Sequence, residues 1–445
     1  MYRIVIPDTA KDIISTLESS GFEAYVVGGC VRDSIMGINP HDWDICTSAT
    51  PPQIIECFRT KRIIETGLKH GTVTIINDGD QYEVTTFRID SEYSDNRHPD
   101  HVIFTSNIEE DLSRRDFSMN AIAYNDRIGL VDPFDGSRAI GNREIVCVGN
   151  PDDRFNEDGL RIMRALRFAS VYDFNIDDET SNSIHKYCHL LYNISVERIQ
   201  SELSRMLLGR NILNILLEYK DVIGVIIPEL IPCIGFEQNN PYHQYTVYDH
   251  IAHAVDNYHG NELVVKLALL LHDIGKPQCY TEDERGGHFH GHGVPSHDIA
   301  DNVMQRLRFD NKTRHAVTDL VLYHDSVIEP TPKTVRRWLN KIGKELFSQL
   351  LDIRMADIKA HAEGTQESRI ERCNALRMIM NDIITQEQCF SLKDMNVNGD
   401  DIISIGVPEG KEVGRILKLL LDEVISGTVE NDREVLLSRA SCLIN

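Results

Sequence analysis

Apolar residues follow two different periods along this chain. Up to about residue 150 they come in short β-branched runs. Residues 24–28 (AYVVG), 72–76 (TVTII) and 82–88 (YEVTTFR) read as strands. Residues 51–58 (PPQIIECF), with proline at the start, read as a helix between them. From about residue 155 the period becomes helical. DGLRIMRALRFAS, SVERIQSELSRMLL and ELVVKLALLLHDI carry apolar residues at i, i+3 and i+4. Glycine, asparagine and proline punctuate the chain near Gly141–Asp153, Ile231–Pro241 and Glu282–Pro295. The pattern predicts an α+β chain: a mixed sheet with helices first, all-α parts after it. The expected divisions are 1–145, 146–240, 241–365 and 366–445.

Length supports several domains, since 445 residues exceed what one core usually organises. Hydrophobic content of 41% and charged content of 26% are those of a soluble globular protein. No run is long and apolar enough to span a bilayer, and the N-terminus has no signal-peptide layout. The ten scattered cysteines, with no CxxC pair, predict a reducing, cytoplasmic setting. The net charge of −23 opposes bulk attraction to nucleic acid. Any RNA site must therefore be local and shape-reading.

The first candidate chemistry lies in GGCVRDSIMG followed by HDWDI. Gly28 and Gly29 let the chain turn sharply after a strand and approach a ligand. Backbone N–H groups there, with the start of a helix, can cradle a triphosphate, and Arg32 can add a charge-assisted contact. Asp42 and Asp44, read as strand residues i and i+2, share a face, with Trp43 and Ile45 behind. Paired carboxylates suit Mg²⁺, and two such ions serve phosphoryl transfer. Glu83 is a candidate third carboxylate if its strand neighbours that of Asp42 and Asp44. A DxD or a GG alone is more often a turn; the ordered series is what points to a site.

GGCVRDSIMG…HDWDI, EVTTFRIDSEYSDNRHPDHVIF, EEDLSRRDFSMNAIAY, DPFDG and RFNEDGLRIMRALRFA, in that order, resemble the motifs of the class II tRNA nucleotidyltransferase and bacterial poly(A) polymerase family. The resemblance implies Mg²⁺ on Asp42 and Asp44. It implies that Arg114, Arg115, Asp116 and Asn120 hold ribose and triphosphate. It implies a nucleotide-reading motif at Glu157, Asp158 and Arg161, with Arg164 on the same run. A carboxylate at 158 would accept from the amino group of cytosine or adenine. A guanidinium at 161 would donate to N3 of cytosine or N1 of adenine. Spacing i, i+3 places both on one helical face, although a surface ion pair satisfies the same spacing. The implied substrates are CTP, ATP and the 3′ end of tRNA. Phe87–Val102 resembles the loop of members that incorporate ATP. Poly(A) polymerase and an enzyme adding only A stay open as alternatives. Arg198 and Arg205, in a segment resembling the family's neck, are candidate RNA contacts.

A second constellation comprises HQYTVYDHIAHAV, ALLLHDIGKP, GHFHGHGVPSH, LVLYHD and RMADIKAH. Histidines and aspartates on several helices offer nitrogen and oxygen ligands to a divalent transition metal. The set resembles the HD phosphohydrolase superfamily. His250, His272, Asp273 and Asp357 match its minimal ligands, and His292 and His324 match the extra histidines of binuclear members. Lys276 is a candidate phosphate contact. His253, His259, His288, His290 and His297 read as structural or solvated. The resemblance implies a phosphohydrolase activity, and it leaves open a protein whose head only binds RNA. The tail, LKDMNVNGDDIISIGVPEGKEVGRILKLLLDEVISG, reads as a turn and two helices, either RNA-binding or simply packed. The basic stretch Arg336–Glu345 fits an RNA contact or an ordinary surface helix.

Overall fold

The computed structural model describes residues 3–65, 67–90, 102–284 and 286–444. The chain divides into two compact units, Met1–Pro228 and Glu229–Asn445.

The first unit is built on a seven-stranded mixed sheet. Its strands include β1 (Ala24–Val27), β2 (Ile45–Thr47), β3 (Arg62–Ile64), β4 (Thr72–Asn77) and β5 (Asp80–Thr86). A separate antiparallel pair follows, β6 (Arg88–Asp90) and β7 (Val102–Phe104), and then β8 (Ala123–Asn125) and β9 (Gly129–Val131). The sheet order is β3-β4-β5-β2-β1-β8-β9. Only β2 and β5 run parallel, with Ile45 opposite Val84. Alternation sets the faces: Tyr82, Val84 and Thr86 point inward from β5 while Glu83 stays exposed. Asp78 and Gly79, both with positive φ, close the β4–β5 hairpin in the manner that suits strand twist. Residues 91–101, most of the expected loop between Phe87 and Val102, lie outside the described residues.

Beyond the sheet the first unit turns helical. Leu160–Tyr172 packs against Val196–Leu207, burying Leu166, Phe168, Leu203 and Met206. Two short strands, β10 (Glu144–Ile145) and β11 (Asn175–Ile176), pair in parallel beside it.

The second unit is helical around a central segment, Leu263–Leu271, apolar at every position but Lys266. Leu267, Leu269, Leu270 and Leu271 are all buried there, as expected for a helix with no solvent face. Lys266 is buried on it and donates to the Val255 carbonyl. The expected all-α run is interrupted by one hairpin, β12 (Thr281–Asp283) and β13 (Gly286–His288), in the glycine-rich stretch that breaks the helical period. The helix Pro332–Lys359 is broken at Gly343, whose φ of 80° and ψ of 165° no helix allows. The tail has its own core of Ile402, Ile416, Leu420 and Leu436. Among the described residues, no helix is long and apolar enough to cross a membrane.

Candidate functional site

Gly28 ends β1 with φ 78°, a conformation that side chains disfavour. A Cβ there would lie 2.9 Å from Arg115 Nη1, so a larger residue would also push that guanidinium aside. The turn delivers Gly29 and Arg32 on the short helix Gly29–Ile35. Asp42 and Asp44 are not in a strand as expected: β2 begins one residue later, at Ile45. The Asp44 carbonyl accepts from Val27 N–H at 3.0 Å, which fixes this approach to the sheet. Continuing the β2–β5 register by one residue sets Asp44 beside Glu83. The electrostatics agree with that placement. Surrounding protein, then Glu83, then Asp42 push the Asp44 carboxyl up, while Arg115 opposes them. Carboxylates crowded to this degree favour a cation between them.

A guanidinium network surrounds this edge. Arg32 is buried, and its Nη1 donates to Asn120 Oδ1 at 2.5 Å. Asn120 Nδ2 donates to Asp116 Oδ1 at 3.1 Å, and Arg164 Nε donates to Asp116 Oδ2 at 2.7 Å. Burial alone would raise the Asp116 carboxyl; Arg164, Asn120 and Arg161 outweigh it and hold it down at about 2. Arg32, Arg164 and Arg167 all lie against the Phe168 ring, at 5.3, 5.3 and 3.8 Å from its centre. Arg114 and Arg115 share the fully buried Asp111, at 2.8 and 3.4 Å. The sequence reading missed Asp111, although its i, i+3 and i+4 spacing to the two arginines is visible. It also missed Glu202, which pairs with Arg167.

The Asp158–Arg161 spacing does not mean a shared helix face. The helix Pro151–Glu157 ends, Asp158 is extended at φ −140° and ψ 103°, and Leu160–Tyr172 begins anew. Asp-Gly breaks the helix, because the Asp158 side chain satisfies the next helix start instead: Oδ1 accepts from Leu160 N–H at 3.0 Å. Each residue is held by an outer partner. Arg198 Nη2 donates to Asp158 Oδ2 at 3.0 Å, so Arg198 is turned inward, whereas Arg205 is exposed. Arg161 Nη1 donates to Glu157 Oε2 at 2.6 Å, and its Nη2 to the Arg114 carbonyl at 2.9 Å.

In the second unit, five helices bring six of the expected residues together. His250 Nε2 lies 2.9 Å from Asp357 Oδ1 and 3.5 Å from Asp273 Oδ2. His292 Nε2 and His324 Nε2 approach Asp273 Oδ1 at 3.1 and 3.6 Å. Asp273 thus faces histidines through both oxygens. His272, His292 and His324 each point Nδ1 at the carbonyl three residues earlier, at 2.7, 2.8 and 2.7 Å. A carbonyl only accepts, so Nδ1 carries the proton and Nε2 faces inward as a ligand atom. The carboxylates push His272 up to about 10 against its burial. Yet His272 Nε2 and Asp273 Oδ2, 3.1 Å apart, form no aligned hydrogen bond. Two acceptors converging without a proton between them fit a shared cation better than a protonated His272. Burial dominates at His250, which falls to about 4 and stays neutral.

His361, missed from sequence, joins His250 and Asp357 in a third group close enough to share an ion. It sits four residues after Asp357, a helical spacing that was readable. His243 also faces His250 and His361, with ring centres 5.1 and 4.4 Å away. Lys276, the expected phosphate contact, lines the cavity beside the cluster, but its ammonium is already engaged. It is buried, with Nζ 2.7 Å from Asp273 Oδ2 and donating to Gln238 Oε1 at 2.9 Å. The cluster opens on a cavity of about 570 Å³. His288 and His290 line its wall with rings stacked, while His253 stacks on Tyr245 outside it.

A mixed sheet with a DxD edge, an arginine network and a helical continuation defines a nucleotidyltransferase of the poly(A) polymerase head class. Residues 24–146 match the family described as the Poly A polymerase head domain, and residues 294–440 match tRNA nucleotidyltransferase domain 2. A CCA-adding enzyme of Ligilactobacillus salivarius is 32% identical, over 99% of this chain and 98% of its own length. One from Bacillus cereus is 32% identical over 96% of each. The solved CCA-adding enzyme of Bacillus stearothermophilus, in complex with CTP, superposes with a TM-score of 0.73 at 28% identity, covering 99% of this chain and 98% of that one. This chain belongs to the family of CCA-adding enzymes and is a tRNA nucleotidyltransferase.

Proposed function

We propose that this protein adds C, C and A to the 3′ end of tRNA from CTP and ATP, without a nucleic-acid template. One observation carries the reading. Arg161 donates to the Arg114 carbonyl, so the nucleotide-reading junction is tied to the turn that carries Asp116 and Asn120. In this reading Asp158 accepts from the exocyclic amino group of cytosine or adenine, and Arg161 donates to the adjacent ring nitrogen. Uracil and guanine present a carbonyl where Asp158 needs a donor, and are refused. Arg32 and Arg115 face the triphosphate, with Gly28 letting its phosphates approach the backbone. The 3′-oxygen of the tRNA joins the α-phosphorus, and pyrophosphate leaves. Asp42 and Asp44, with Glu83 beside them, would hold Mg²⁺, which when bound would supply activation of that hydroxyl and neutralisation of the leaving group. Arg205, exposed on the helix Val196–Leu207, serves the RNA backbone. With a net charge of −23, such contacts must be few and placed.

A second reading concerns the second unit. Converging lone pairs on His250, His272, His292, His324, Asp273 and Asp357 support a divalent transition metal and phosphoester hydrolysis. We assign the head to 1–145, the neck to 146–240, this HD-like part to 241–365 and the tail to 366–445, acting in the cytoplasm. The ten free cysteines support that compartment.

The test uses tRNA lacking its CCA end. Wild-type protein is expected to incorporate label from CTP and ATP; Asp42→Ala is expected to do so about 10³-fold more slowly. Incorporation of UTP or GTP at equal rates overturns the reading.

A further inference from the structure

The cavity of the second unit needs a residue of this chain to grip the phosphate of a phosphoester, and its wall offers two long cations. Among the described lining residues these are Lys276 and Arg369. Sequence position favours Lys276, three residues past Asp273. The structure spends it elsewhere. Its ammonium is buried between Asp273 Oδ2 and Gln238 Oε1, and lies over the Phe289 ring at 5.3 Å. Gln238 is itself buried and donates to the Tyr245 carbonyl at 3.1 Å, which fixes the far side of the pair. A lysine held in this way balances the charge on Asp273; reaching a substrate would strip that carboxylate of its partner.

Arg369 has the opposite disposition. It stands in the first turn of the helix Glu367–Thr385 and keeps 38% of its side chain exposed. Its Nη2 is 3.9 Å from Asp357 Oδ2, too long for a firm hydrogen bond but within reach of the cluster. Its base is rigid. Gln366 Nε2 donates to the His361 carbonyl at 2.6 Å, and Ala362 N–H donates to the Tyr242 carbonyl at 2.9 Å. The helix start is thereby tied to the chain that bears Asp357 and His361, and to the opposite wall. A guanidinium there has donors left for non-bridging phosphate oxygens, with a planar fork that matches them.

We infer that Arg369, and not Lys276, binds the phosphate of a phosphate ester in the cavity of the second unit, and that Lys276 positions Asp273. The inference rests on the metal-dependent hydrolase reading above. In the reaction it serves, the oxygen of water joins phosphorus and the ester P–O bond breaks. A proton from that water passes to the departing alkoxide, so an alcohol and inorganic phosphate are released.

The full-length protein is loaded with Mn²⁺, and metal content and inorganic phosphate affinity are measured by calorimetry. Hydrolysis of p-nitrophenyl phosphate and of its bis ester is followed beside them. Arg369→Gln is expected to keep its metal and weaken phosphate binding by about tenfold or more, the loss typical of a charged hydrogen bond. Any hydrolysis should show that loss mainly in KM, and Arg369→Lys should recover part of it. Lys276→Met is expected to alter metal affinity while phosphate affinity of the saturated protein stays near wild type. Wild-type phosphate affinity in Arg369→Gln, or its loss in metal-loaded Lys276→Met, overturns the inference. Wild-type protein that takes up metal without phosphate also overturns it. Wild-type protein that takes up no metal overturns the hydrolase reading underneath. Thermal unfolding and circular dichroism of the same samples report that each variant is folded.

Discussion

The head and the second unit organise their charges in opposite ways. In the head, the carboxylates at the DxD edge are crowded together and largely exposed, and the arginines around them are locked by Asp111, Asp116, Glu157 and Glu202. In the second unit, Asp273 is buried among histidines, and His272, His292 and His324 have their outer nitrogens already committed to carbonyls. The first arrangement leaves the acids short of positive charge at an open edge, where a triphosphate and its ions can come and go. The second presents inward lone pairs at the floor of a cavity, held by partners on several helices, where an ion would stay. A site for turnover of charged substrates and a site for a resident metal are thus distinguishable by where their counter-charges sit.

The comparison breaks first at Asp42. Asp42→Ala is expected to remove about 4 kcal/mol of transition-state stabilisation, or about 10³-fold in nucleotide addition, with metal content of the second unit unchanged. Asp273→Ala is expected to do the reverse: it empties the second unit of metal and leaves addition intact. Rate and metal analysis on the same preparations decide between these outcomes and a shared dependence.

Asp158→Ala comes next. Loss of the acceptor is expected to reduce discrimination of CTP and ATP against UTP and GTP by about 10- to 100-fold, read as a ratio of kcat/KM values. Stability should respond more to Asp116→Asn, which takes the buried carboxylate from half-buried Arg164 at a cost of about 2 kcal/mol in chemical denaturation. Because the folded Asp116 carboxyl lies at about 2, below its unfolded value, its contribution is full above about pH 4. It is lost as the pH falls towards 2, and the wild-type and Asn variants should converge there.

The smallest effect is on pH dependence. Asp44 is held above the ordinary carboxylate range by its surroundings and by Glu83. It therefore takes up a proton at a higher pH than a free carboxylate, and addition should fall on that acid limb. Raising Mg²⁺ should move the limb to lower pH, since ion and proton compete for one group. A limb that ignores Mg²⁺ would separate Asp44 from the ion.

Local order made most of the head legible. Gly28, the DxD, the double arginine and Asp158 lie in short ordered motifs, and β1, β4 and β5 follow from β-branched runs. The errors came where a local rule was applied across a boundary. Asp42 and Asp44 were read into a strand that starts at Ile45. Asp158 and Arg161 were read onto one helix, although the intervening Gly159 marks a break. Lys276 was read by its place in the chain, but Gln238, 38 residues away, decides where its ammonium goes. Partners such as Glu202 and Arg198 are invisible in sequence because only the packing of Val196–Leu207 against Leu160–Tyr172 brings them in.

The most direct measurement is the sequence of the tRNA 3′ end after prolonged incubation with all four NTPs. A tRNA lacking its last three nucleotides is predicted to gain C, C and A and then stop. A lengthening oligo(A) tail, addition of A alone, or mixed ends containing U or G would contradict the account.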